Sequence, residues 1–177
     1  MKRVHLLAVG GVERALLEDL RVGLLASFRV PCEILSCELD PRPSYHAERQ
    51  QYHSSEILER MQALPRSENS HLLGVAGADL YIPILQYVFG EAQLGGPCAV
   101  VSFHRLRQEF YGLNKDEALF RDRLLKECVH ELGHTLGLRH CRDYRCAMAS
   151  AHAVEWIDLR ESAFCESCRA SVELRGA

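Results

Sequence analysis

The sequence predicts an α/β fold: a twisted mixed β-sheet, one long helix packed beneath it and a small C-terminal lobe. Three observations predict it. A strand, a helix and a strand follow one another within the first 39 residues, a long helical segment begins near Asp116, and residues 138–177 are polar, turn-rich and hold four of the eight cysteines. At 177 residues the chain suits a single domain with a sizeable core. Gly137 is expected to divide it into an upper lobe (1–137) and a lower lobe (138–177).

VHLLAVG, residues 4–10, is a short apolar run closed by Gly10 and Gly11, as expected of a buried strand. In VERALLEDLRVGLLASF, Ala15, Leu16, Leu20 and Leu24 share one helical face. CEILSCEL, residues 32–39, reads as the next strand, and this order predicts a right-handed crossover between parallel strands. DPRPSYHAERQQYHSS is polar and carries Pro41 and Pro43, which predicts a solvated surface loop leading into the helix SEILERMQAL. SHLLGVAGADLYI and PCAVVSF supply two more apolar strands. Between them YVFGEAQLGG is interrupted by Gly90 and closed by a glycine pair, so a short edge strand or hairpin is expected there.

The long helix carries its own start signal. Asn114 with Glu117 three residues later has the relation of an N-cap and its reciprocal partner, and acidic Asp116 and Glu117 suit the positive end of the helix dipole. Leu124, Leu125, Cys128, Leu132 and Leu136 are available to the core, and Gly137 is placed to stop the helix in a left-handed conformation.

Lys and Arg number 21 against 24 Asp and Glu, a net charge of -3, so no nucleic-acid partner is expected. MKRVHLLAVGG has too short an apolar run for a leader, and no stretch approaches bilayer-spanning length. A cytoplasmic, monomeric protein is expected, with its cysteines reduced or metal-bound. Cys32, Cys37, Cys98 and Cys128 lie in apolar segments and read as small buried hydrophobes.

HELGHTLGLRHCRDYRCAM, from His130 to Met148, concentrates the chemistry. Two histidines four apart on a helix are about 40° apart in azimuth and about 6 Å apart along the axis, so His130 and His134 can reach one metal. Glu131, rotated by about 100°, is directed beside the metal, where a base belongs. Gly137 turns the chain and His140 returns as a third nitrogen ligand, completing H-E-x-x-H-x-x-G-x-x-H. Three neutral imidazoles leave zinc its double charge and an open position for water, which is a hydrolytic site.

Cys141 adjoins His140 but should point away from that zinc. With Cys146, Cys165 and Cys168 it forms C-x4-C followed by C-x-x-C. Four thiolates make a closed structural zinc site without water, so two zinc ions per chain are expected.

HELGHTLGLRH resembles the zinc motif of the metzincin metallopeptidases, and the adjacent Cys141, Cys146, Met148 and Cys165-x-x-Cys168 resemble the archaemetzincins in particular. The resemblance implies a metzincin-like fold, catalytic zinc on His130, His134 and His140, Glu131 as general base, Met148 as the Met-turn beneath the metal and a four-cysteine structural zinc. The tyrosine that some metzincins carry two residues after this methionine is absent here, where the sequence is Met148-Ala149-Ser150, so a further oxyanion stabiliser is unassigned.

The function expected is peptide-bond hydrolysis, with a zinc-bound water giving its proton to Glu131 and a peptide or protein substrate lying extended along an edge strand near Tyr87 to Gly95. Two alternatives are a non-catalytic zinc protein that binds peptides or partners, which would have no need for Glu131, and an aminopeptidase restricted to short peptides. The latter needs a carboxylate to hold an amino terminus, for which Glu91 and Asp158 are the candidates.

Overall fold

A computed structural model of the protein describes residues 1–176, with side chains described as far as Val172. The chain begins with β1 (Arg3–Val9), α1 (Arg14–Phe28) and β2 (Cys32–Leu39). A hairpin of β3 (Tyr45–His46) and β4 (Gln51–His53) leads directly into α2 (Ser54–Gln62). Next come β5 (Ser70–Ala76), β6 (Leu80–Tyr81), β7 (Gly90–Ala92) and β8 (Cys98–Ser102). The long helix α3 (Glu117–Thr135) follows, and α4 (Val154–Leu159) and α5 (Glu166–Gly176) come after it.

The main sheet has the order β2-β1-β5-β8-β7. β1 pairs in parallel with β2 and β5, β5 pairs in parallel with β8, and β7 closes the far edge antiparallel to β8. The expected parallel first pair and the expected edge strand are both present. Because side chains alternate across a strand, the sheet has two apolar faces. Leu6, Leu73, Val75 and Val101 face one core with Leu17, Leu20 and Leu24 of α1 and Leu124, Cys128 and Leu132 of α3. Leu7, Val9, Leu72 and Val100 face the other, against Ile57, Leu58 and Met61 of α2. The sheet is therefore sandwiched between helices, with α3 on the face opposite α2.

Several expectations need correction. The segment following β2 is not all loop: β3 and β4 pair antiparallel, and β4 pairs in parallel with β6 to form a second, three-stranded sheet. Strands of two or three residues are too short to show an alternation, and this sheet is held by side-chain rings, with Tyr45 against Tyr52 at 5.0 Å and His53 stacked on Tyr81 at 5.2 Å. The cap of α3 is Asp116, whose side chain accepts from the Leu119 amide at 2.9 Å, not Asn114. Glu117 is instead drawn to Lys115 and Arg121. Ala15 is exposed, and Leu17 takes its expected place in the core. Cys37 is exposed because β2 is the other edge of the sheet, while Cys32, Cys98 and Cys128 are buried.

α3 stops as the glycine predicts. Gly137 has φ +84°, its amide donates to the His134 carbonyl and the Leu138 amide to that of Gly133, the two bonds of a Schellman turn. Two charge-reversed ion pairs, one helical turn apart on α3, hold the lower lobe against it. Arg123 engages both oxygens of Asp158 at 2.7 and 2.6 Å, and Arg160 donates to Glu127 at 2.8 Å. Among the described residues, no helix is long and apolar enough to cross a membrane.

Candidate active site

Glu127, His130, Glu131 and His134 fall at i, i+3, i+4 and i+7 on α3 and so share one face, which forms the inner wall of a cleft of about 810 Å³. Residues 86–92, including β7, line it on the sheet side, and His140 and residues 150–152 line it on the lower-lobe side. The mouth is bridged where the Tyr87 hydroxyl donates to the His152 carbonyl at 3.0 Å.

The histidines arrive in fixed orientations. His130 Nδ1 lies 2.7 Å from the Ala147 carbonyl and His134 Nδ1 2.8 Å from the Leu138 carbonyl. A carbonyl only accepts, so both rings carry their proton on Nδ1 and turn a bare Nε2 into the cleft. Those two Nε2 atoms are 3.1 Å apart. Two lone pairs at that distance repel unless a cation lies between them, so the donor set fits a metal. His140 completes it, its ring centroid 5.3 Å and 5.0 Å from those of His130 and His134, and one nitrogen from each of the three lies within 4.8 Å of the others. Burial pushes the protonation of all three below the ordinary histidine value, most for His130, which keeps them in the neutral form a metal requires.

Glu131 is buried against β7. Burial raises its carboxyl well above the ordinary value, the nearby Glu127 raises it further and Arg160 opposes both. Its room comes from Gly90: a Cβ there would lie 2.6 Å from Glu131 Cγ and 2.7 Å from Oε1. The strand-breaking glycine of the sequence is thus the place where a strand passes over a carboxylate, one of the reasons a glycine interrupts a strand. Gly133 plays the same part on the opposite face of α3, where a Cβ would collide with Met148 Sδ and lie 3.0 Å from Phe164 Cε1. Met148 is fully buried there, directly beneath the histidine-bearing turn.

Cys141, Cys146, Cys165 and Cys168 converge in the lower lobe, with their four sulfurs within 4.8 Å of one another. Cys146 Sγ accepts from the amides of Met148 at 3.4 Å and Cys165 at 3.3 Å. The Ser167 hydroxyl brings the Cys165 thiol down to about 6, whereas burial pushes Cys146 and Cys168 up. Four thiolates cannot share this space without a cation, so this set too can hold a metal.

The carboxylates considered for an amino terminus are already engaged. Asp158 is held by Arg123, and Glu91 accepts from the hydroxyls of Ser54 at 2.5 Å and Ser55 at 2.8 Å. Sequence reasoning missed Gly90, Gly133 and the Glu127–Arg160 pair. The glycines gave only an ambiguous signal, and the pair spans 33 positions with none.

The sequence matches the family described as Peptidase family M54 over residues 30–174. The archaemetzincin of Methanocaldococcus jannaschii is 38% identical over 174 residues, covering 98% of this chain and 94% of its own. A zinc-dependent peptidase from Methanocorpusculum labreanum superposes with a TM-score of 0.86 at 28% identity, over 96% of this chain and 99% of the other. The archaemetzincin of Archaeoglobus fulgidus, solved complexed with malonate, superposes with a TM-score of 0.82 at 35% identity over the same shares. With a metzincin-like mixed α/β fold and sequence likeness along almost its whole length, the chain belongs to peptidase family M54, the archaemetzincins, and is a zinc metallopeptidase.

Proposed function

We propose that the cleft is the catalytic centre, with His130, His134 and His140 as the ligands of the catalytic zinc and Glu131 as the general base. The facing Nε2 atoms of His130 and His134, 3.1 Å apart with their Nδ1 protons given to carbonyls, carry this reading. Bound there, zinc would supply a double positive charge that acidifies a water and polarises the scissile carbonyl. Glu131 accepts the water's proton at a carboxylate oxygen and returns it to the leaving amine. Burial favours the protonated form of Glu131, and the double charge of a bound zinc would oppose this and keep its carboxylate able to accept. An extended peptide or protein substrate pairs with the unpartnered edge of β7, which places its backbone over Glu131. Arg123 neutralises Asp158, which does not line the cleft, so of the two carboxylates only Glu91, held by the serine hydroxyls, is placed to meet an amino terminus. A non-catalytic, partner-binding protein would leave the buried Glu131 without a role.

The four cysteines are assigned to a structural zinc, giving two zinc ions per chain, with Met148 as the Met-turn. The same reading divides the domain at Gly137, takes it as a monomer, and assigns it to the cytoplasm on the strength of eight cysteines that form no disulfide. The test is Glu131→Ala, expected to keep its fold and bound zinc while losing at least about a hundredfold in peptide cleavage. Equal turnover by the two proteins would remove Glu131 from the chemistry, and loss of zinc from the variant would make it a ligand instead.

A further inference from the structure

Outside the cleft and the cysteine cluster, one more set of ligand-type side chains converges. His46 comes from β3, His53 is the last residue of β4 and Glu56 lies in the first turn of α2. His46 Nε2 is 3.2 Å and His53 Nδ1 3.1 Å from the same oxygen, Oε1 of Glu56, and one ligand atom from each residue lies within 4.8 Å of the others. Tetrahedral zinc with bonds of about 2.0–2.1 Å sets neighbouring ligand atoms roughly 3.3–3.4 Å apart. The spacing is that of hydrogen bonds to Oε1 and is also close to that of ligands around one ion, so a cation could replace the shared protons with little movement.

The rings are held independently of any metal. His53 stacks on Tyr81 at 5.2 Å and 24°, and His46 meets the same ring edge-on at 5.6 Å. His53 Nε2 is buried without a hydrogen-bond partner, so Nδ1 is the only engaged nitrogen of that ring. We propose that His46, His53 and Glu56 form a third metal site, taking zinc or a similar first-row divalent cation. His46 and Glu56 are 44% and 38% exposed, which leaves further coordination positions open to water and makes the site exchangeable, unlike the closed cysteine set. Its ligands adjoin Ser54 and Ser55, the residues that tie α2 to Glu91 of β7. Occupancy would stiffen the support of the cleft's edge strand.

The experiment is a zinc titration of purified protein, desalted to strip exchangeable metal, beside His46→Ala and Glu56→Gln treated alike, read by calorimetry and by thermal melting. The count is a difference between proteins and does not depend on how many ions the cleft and the cysteines hold. The parent should take one equivalent more than either variant, with affinity at least about tenfold above theirs, since loss of a ligand weakens binding at least as much as loss of a residue supporting one. Added zinc should raise the melting temperature of the parent alone. Circular dichroism checks that both variants fold, and Glu56→Gln keeps the shape of the side chain it replaces. No extra equivalent in the parent, or the same equivalent in both variants, overturns the proposal and leaves a hydrogen-bonded His-Glu-His cluster.

Discussion

The two lobes are held together by different means. The upper lobe buries aliphatic residues on both faces of a five-stranded sheet, among them Leu6, Leu7, Leu24, Ile57, Leu72, Leu73 and Leu124. The lower lobe encloses Leu138, Cys146 and Met148, with Phe164, Val172 and the remaining ligand cysteines packed around them. Hydrophobic burial, at about 25 cal/mol per Å², is concentrated in the first, and the second adds to that core only a few side chains, Ala147, Val154 and Ile157 among them. The C-terminal part draws the rest of its order from the cysteine cluster, the ion pairs to α3 and the seat of Met148 on Gly133.

The largest effect should come from the cysteines. Structural zinc in small domains contributes on the order of 10 kcal/mol of apparent folding free energy, more than any single core side chain here. Cys168→Ser is expected to open the lower lobe, with new protease cleavage after Gly137, while the helical circular dichroism of the upper lobe persists. A Cys168→Ser protein as resistant as the parent would end the comparison. Brief chelation should act in the reverse sense, removing the exchangeable metal of the histidine site and peptidase activity together while leaving both lobes folded.

Next in size is Arg160→Ala, which leaves buried Glu127 without its partner and should cost about 3–5 kcal/mol. The Arg160→Ala, Glu127→Gln double variant should recover much of that in a denaturant titration, because the uncompensated charge is gone. Gly133→Ala should cost about 1–3 kcal/mol by overpacking Met148, although alanine is the better helix former. Adding Met148→Ala should then cost less in that protein than in the parent.

The sheet side offers a test read against pH. Burial, together with the N-terminal ammonium and Arg66, lowers the His71 pKa to about 4 from an ordinary 6.5. The unfolded chain therefore takes up a proton that the folded one refuses, so this contribution to stability is present above about pH 6.5 and is lost as pH falls toward 4. His71→Asn should flatten melting temperature against pH across that window. An unchanged slope would assign the loss to other groups.

Much of this was legible in the sequence because the features are local. The parallel β1 and β2, the run of α3, the Gly137 stop and the spacing of His130, His134 and His140 each follow from neighbours within a helical turn or a crossover. What was not legible depends on long-range approach. Nothing in YVFGEAQLGG tells that Gly90 clears Glu131 rather than breaking a strand, nor does α3 alone announce that Glu127 awaits Arg160. The hairpin of β3 and β4 was hidden because its order comes from Tyr45, Tyr52, His53 and Tyr81 meeting across separate segments. Asp116 displaced Asn114 as the cap through competition between adjacent signals, which spacing alone does not rank.

The turn after α3 joins two requirements in one residue. Leu138 closes the Schellman turn through its amide and fixes the His134 ring through its carbonyl. The spacer between the second and third histidines is therefore not a tether of adjustable length. A residue inserted or deleted there would shift which carbonyl faces Nδ1, and the proton could move to the nitrogen that must stay bare. Length variation among relatives should gather in the segments between sheet strands and avoid this one, because here a change of one residue alters the setting of the His134 ring as well as the loop.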